Sequence, residues 1–164
     1  MGLVGNMNIV DNIMLRSYQA GSSVFVEREA PRTLAERIIE RLEVATESAD
    51  TPVRKLSGGN VQKILVGREI ASHPTVFMAA YPVRGLDINS SYKIYDLLNE
   101  QKEQGVAVIY VGEDLDVLLA LCDRILVLSH GKMYGPFDGK TITKEEIGFN
   151  MVKGRGEADG KRTN

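Results

Sequence analysis

Residues 56–63 read Leu56-Ser57-Gly58-Gly59-Asn60-Val61-Gln62-Lys63. A serine followed by two glycines, ahead of a stretch with Ile64, Leu65 and Ile70 on an apolar side, reads as a serine-capped helix running to about Ala71, with Pro74 closing it. The glycines leave backbone amides uncovered, and a helix tip adds free donors and the positive end of its dipole. The tip is therefore an anion-binding corner with a hydroxyl attached. The plain alternative is an ordinary helix start after a loop, since serine caps are common.

Working outward, residues 8–16 read as a short helix with Asn8 as its cap, and 19–30 as a loop. Residues 31–44 read as a helix with Pro31 in its first turn and Leu34, Ile38, Ile39 and Leu42 at helical spacing; 45–55 is a loop. Downstream, 75–80 is a short apolar run read as a buried strand. A helix over 90–104 stops at Gly105, and 106–111 reads as a second buried strand. Asp114 caps a helix through Leu121, 124–128 is a third strand, and Gly131 turns the chain into a short fourth. Strand, helix, strand, helix, strand in that order predicts an α/β fold with a parallel sheet and flanking helices. A helical piece, 1–72, precedes an α/β piece, 73–153, and the glycine-rich charged tail 154–164 is expected to be disordered.

Composition narrows the classes. With 43% hydrophobic and 26% charged residues in 164, the chain reads as soluble and globular. No apolar run approaches the roughly 20 residues of a membrane-spanning helix, and the first residues lack the pattern of a secretory signal. A net charge of −2 offers no electrostatic case for nucleic acid. Cys122 has no cysteine to pair with, which suits a reducing compartment.

Several motifs in order give these pieces a common reading. LSGGNVQK at 56–63 resembles the signature of ABC ATPases, in the form found in sugar and nucleoside importers. Residues 76–87 (VFMAAYPVRGLD) resemble the Walker B strand and D-loop, and 107–115 (AVIYVGEDL) the switch-loop strand. CDRILVLSHGKM, at 122–133, resembles the strand and hairpin that follow, and MNIVDNIMLRS, at 7–17, the helix after the Q-loop. The resemblance covers roughly residues 2–153 and is nearest to the second, degenerate ATPase domain of tandem importers. It implies a partial P-loop NTPase fold: a helical subdomain followed by the C-terminal part of the sheet.

The resemblance also shows what is altered. No G-x-x-x-x-G-K-[ST] occurs; Gly135-Pro-Phe-Asp-Gly139-Lys140-Thr141 is one residue short, and Pro136 removes an amide, so it reads as a turn and helix cap. The family's phosphate loop would precede residue 1, which makes a truncated chain the expected explanation. Where the family places Asp-Glu-Pro, this chain has Ala80-Tyr81-Pro82, and the switch histidine position is Glu113. Neither Ala80 nor Tyr81 can order magnesium or polarise water, and a carboxylate at 113 would repel phosphate. Loss of a general base alone costs about 10²–10⁴-fold, so the isolated chain is expected not to hydrolyse ATP.

The implied role is a division of labour. Ser57, Gly58, Gly59 and Asn60 would contact ATP held, with its Mg, by a second ATPase domain, and Asp87 would shape that interface. Implied partners are that second domain and membrane permease subunits, at the cytoplasmic face of the membrane. The rival reading is a non-catalytic interaction module derived from such a domain. The family's phosphate-loop strand would lie between the strands at 106–111 and 125–128. Without it, either the two close directly or they pair with another chain.

Other residues read plainly. Asp114 is a cap rather than half of a carboxylate pair, and Cys122 a small buried hydrophobe. His73 lies near a helix C-terminus and His130 beside a glycine turn; Tyr92 and Tyr95 read as half-buried packing residues. No His, Cys and carboxylate spacing suggests a metal site.

Overall fold

The computed structural model describes residues 2–16 and 28–153, so most of the loop expected over 19–30, and the tail from 154, lie outside the described residues. The chain divides into two compact units, Met1–Ile109 and the residues from Tyr110 onward.

In the first unit, Asn8 starts α1 (Ile9–Met14): its extended backbone lets the side chain accept from the Asp11 amide at 2.7 Å. One turn on, Asn12 is fully buried and saturates its amide. It accepts from the Val4 amide at 2.7 Å and donates to the carbonyls of Val4, Met7 and Asn8 at 2.9–3.2 Å. This one side chain folds residues 4–8 onto the helix, because a buried amide must spend its donors and acceptors inside the protein. An isolated bridge pairs Asn8 with Pro52.

Helix α2 (Glu29–Arg41) starts two residues before the expected 31 and ends three before 44. Leu42 leaves helical geometry and Glu43 turns left-handed (φ 47°), which directs Leu42 and Val44 into the core. A short 3₁₀ turn, Val53–Lys55, interrupts the loop before α3 (Gly58–Ala71), whose cap is Ser57. The buried face of α3 departs from the expected Ile64, Leu65 and Ile70. It is Lys63, Ile64, Val66, Gly67 and Arg68, and Leu65 and Ile70 are only half-buried. Gly67 explains the difference: a Cβ there would sit 2.6 Å from Ile38 Cγ2, so α2 and α3 touch at a bare backbone.

Arg68 is 7% exposed and binds three ways. It donates to the Gly2 carbonyl at 2.8 Å, the Asn12 carbonyl at 3.3 Å and the Glu69 carboxylate at 2.6 Å. Arg16 also pairs with Glu69. Burial alone would raise the Glu69 carboxyl, but the hydrogen bonds and charges of Arg16 and Arg68 outweigh it and hold the group below the usual range.

Strand β1 (Val76–Ala80), α4 (Ile88–Glu103) and β2 (Ala107–Val111) follow, with β1 and β2 paired in a two-stranded parallel sheet. Helix α4 begins two residues before the expected 90, because Asp87 is its cap. Neither strand is buried throughout, as the apolar runs predicted. In β1, Phe77 and Ala79 are buried while Val76 and Met78 are exposed, and in β2 the alternate residues from Ala107 are exposed.

The second unit holds α5 (Leu115–Leu121), capped by Asp114, then β3 (Arg124–Ser129), β4 (Lys132–Asp138) and α6 (Lys144–Val152). Strands β3 and β4 form an antiparallel hairpin around His130–Gly131, both left-handed, with a bulge at Gly135–Pro136 opposite Leu126. Its core is Ile125, Val127 and Ile147, with Leu115, Leu118, Cys122 and Phe137 against it. Cys122 packs against this core but is half-buried rather than buried as expected. Helix α6 was not anticipated, although Thr143 and Glu146 form a reciprocal capping box. Strand β2 pairs with β1 and β3 with β4, in separate two-stranded sheets. Among the described residues no helix is long and apolar enough to cross a membrane.

Two variants test this packing. Gly67→Ala gains helix propensity of about 1 kcal/mol, but overpacking against Ile38 costs about 1–3 kcal/mol, so its urea midpoint should fall; a midpoint above wild type would refute the close contact. Because the Glu69 carboxyl is lowered on folding, its stabilisation is complete above about pH 4.3 and fades as pH drops through the lowered folded value. The stability gap between wild type and Glu69→Gln should therefore shrink towards acid pH, and a gap constant from pH 7 to pH 3 would contradict the pairing.

Candidate functional site: the glycine tip of the third helix

Ser57 has extended backbone geometry, and its Oγ accepts from the Asn60 amide at 3.4 Å and from Asn60 Nδ2 at 3.0 Å. The Gly58 and Gly59 amides precede the first intrahelical bond, and no backbone acceptor among the described residues meets them. Ser57 and Gly58 are exposed, and a Cβ placed on Gly58 would meet nothing within 4 Å. On Gly59 it would come within 3.0 Å of Leu86 Cδ2 and 3.6 Å of the Gly85 carbonyl, so the second glycine admits the 85–86 loop. The structure thus brings together the 57–60 segment and the loop leading to Asp87.

Asn60 and Asp87 spend their side chains within the protein. Asn60 Oδ1 accepts from the Ala45 amide at 3.1 Å, and Nδ2 reaches the Ala45 carbonyl at 3.4 Å. Asp87 caps α4, accepting from the Ser90 amide at 2.9 Å and the Ser90 hydroxyl at 2.6 Å. Those Ser90 hydrogen bonds, aided by the charge of Lys63, hold the Asp87 carboxyl below the usual range.

Ala80 ends β1, and Tyr81 follows it with a left-handed backbone (φ 50°) and an exposed ring; the Arg84 amide closes a turn on the Tyr81 carbonyl at 3.2 Å. A methyl and a phenol offer magnesium nothing, and the next carboxylate along the chain, Asp87, is taken by Ser90. The segment after β1 therefore does not fit a metal, whereas the tip of α3 fits a phosphate edge. Among the described residues no group of three His, Cys, Asp or Glu side chains could hold a metal ion. Glu113 is exposed and lies in the second unit. The 135–141 segment is a strand and turn rather than a turn and helix cap: Gly139 donates to the Asp123 carbonyl at 2.9 Å, and a Cβ there would collide with the Cys122 carbonyl. Tyr95 is half-buried as expected, but Tyr92 is 62% exposed and packs edge-on against Tyr95.

Lys63 went unread as a functional residue. It is buried, with Nζ 3.2 Å from the Glu43 carbonyl. Its position, four residues after Gly59 and three after Asn60, was the available signal, since such residues share a helix face.

No protein-family model matches the chain. The xylose import ATP-binding protein of Moorella thermoacetica is 36% identical over 146 residues, which is 89% of this chain and 29% of that protein. The ribose import ATP-binding protein of Rhodopirellula baltica is 37% identical over 147 residues, again 89% and 29%. The chain is homologous to part of an ABC sugar-import ATPase. An arabinose import ATP-binding protein of Azospirillum brasilense agrees, at 37% identity over 82% of the chain and 26% of its own length. This ABC ATPase homologue spans less than a third of the length of these curated relatives. Solved structures show the same fold. A dimeric ATP-binding cassette in a post-hydrolysis state, bound to ADP and Pi, superposes with a TM-score of 0.73 at 24% identity, over 85% of this chain and 60% of that one. The ADP conformation of another ATP-binding cassette gives 0.61 at 20% identity, over 97% and 64%.

The two glycines should respond differently to added bulk. Gly58→Ala should leave the unfolding free energy from urea titration unchanged or raise it by at most about 1 kcal/mol. Gly59→Val should lower it by about 1–3 kcal/mol through its clash with Leu86. Equal effects would contradict the geometry of the tip.

Proposed function

We propose that this chain supplies a signature-type phosphate contact in the ATP-binding subunit of an ABC importer of the sugar or nucleoside class. The observation that carries the reading is the exposed tip of α3, where the Gly58 and Gly59 amides are uncovered and the Ser57 hydroxyl lies beside them. Such a corner donates to an anion but cannot grip a nucleotide alone. ATP and Mg are held by a second ATPase domain, and Ser57, Gly58 and Gly59 donate to the terminal phosphate. Asn60 and Asp87 hold the tip and the adjoining loop in shape rather than touching the nucleotide. The segment carrying Ala80 and Tyr81 belongs to the degenerate one of the pair, and the Glu113 position is degenerate in its own right. Within this reading, residues 1–72 act as the helical subdomain and 73–153 as part of the ATPase core. The assembly sits at the cytoplasmic face of the membrane against permease subunits.

The test is Ser57→Arg in the assembled transporter, where a long cation displaces the phosphate from the tip. ATPase activity should fall at least tenfold with assembly intact by size-exclusion chromatography; wild-type activity would rule the role out. The 164-residue chain alone should show no Mg-ATP turnover above buffer, and measurable turnover would overturn the division of labour.

A further inference from the structure

Lys63 is a buried cation to which the reading above gives no role of its own. It is 8% exposed, in a class of side chain almost never buried without a partner. Its ammonium donates to the Glu43 carbonyl at 3.2 Å, just past the C-terminal end of α2, where a cation is favoured. Glu43 turns left-handed there, and its carboxylate pairs with Lys93 on α4. The N-terminus of α4 is capped by Asp87, and the residues before Asp87 press on Gly59. Asn60, between Gly59 and Lys63 on the same helix face, bonds the Ala45 backbone in both directions. These links close a ring: α3 through Lys63 to the end of α2, from Glu43 to α4, and from the start of α4 back to the glycine tip.

We infer that Lys63 is a positioning residue that sets the glycine tip of α3 against the 85–87 loop by anchoring the helix to the C-terminal end of α2. The inference rests on the phosphate-contact reading above and assigns that site its alignment. The field of Lys63 agrees with this placement: after the hydrogen bonds of Lys93 and Ser90, it helps to lower both the Glu43 and the Asp87 carboxyls. Without the ammonium, α3 keeps its apolar packing through Ile64 and Gly67, but Asn60 is left to hold its first turns to the 43–45 segment, and the angle of the tip is less tightly fixed.

The experiment compares Lys63→Met, Lys63→Arg and Ser57→Arg in the assembled transporter, measuring KM for Mg-ATP and kcat together. Methionine keeps the bulk and removes the donor, and arginine restores a donor. A tilted tip weakens nucleotide contact in ground and transition states alike, so KM should rise about five- to tenfold with kcat within twofold. Arginine should recover at least half of that change on a logarithmic scale. A fold defect that only removes active molecules would lower kcat and leave KM unchanged, and that result would overturn the inference. If Lys63→Met unfolds, Lys63→Arg and Lys63→Leu decide, since leucine also lacks the donor: equal KM values for these two would also overturn it. Loss of activity in Ser57→Arg alongside a normal KM in Lys63→Met would sink the positioning role alone. Wild-type activity in Ser57→Arg would sink the phosphate-contact reading itself.

Discussion

The guanidinium of Arg68 is the constraint on which the first unit depends. A buried charge must be paired and hydrogen-bonded, and removing its carboxylate partner costs about 3–5 kcal/mol. Arg68 meets that demand with Glu69 beside it, the Asn12 carbonyl on α1 and the Gly2 carbonyl. These bonds fix α1 and the first residues to the C-terminal half of α3. Asn12 completes the anchor by folding residues 4–8 back on α1. Two buried polar side chains therefore orient the helix whose opposite end carries the candidate site.

Three tasks fall on different parts of α3. Its tip leaves two amides uncovered, its first two turns bond the 43–45 backbone through Asn60 and Lys63, and its third turn narrows at Gly67 to admit α2. The tip can stay open because the rest of the helix is held by packing and buried bonds. Gly58 faces open space while Gly59 touches Leu86, so the two adjacent glycines are small for different reasons.

The segment after β1 contrasts with that tip. Ala80 ends β1 with a methyl, Tyr81 follows it with a phenol, and the left-handed backbone of Tyr81 is uncommon for a bulky residue. A tight turn onto Val83–Leu86 follows at once, and it delivers Asp87 to the start of α4. The turn thus helps to shape the tip of α3, and residues 81–86 carry no carboxylate.

Sequence alone determined the features that close within a few residues. Asn8, Ser57 and Asp114 each accept from an amide two or three positions on, as does Asp87, whose cap starts α4 two residues before the expected 90, and Gly105 and Gly131 adopt the left-handed turns their type permits. The start of α3 followed from such a signal, while the kinship rested on the resemblance of the 56–63 and 76–87 motifs. The Thr143–Glu146 box was equally local and equally legible, though it went unread. Tertiary structure alone decided which polar groups would be buried and which apolar ones exposed. Asn12, Lys63 and Arg68 read as surface residues by type, yet their partners at Val4, Glu43 and Gly2 make burial favourable. Val76 and Met78 read as core, yet one face of β1 is open. The physical reason is distance: a cap is satisfied by the chain's own next turn, whereas desolvation is settled by segments up to 66 residues away.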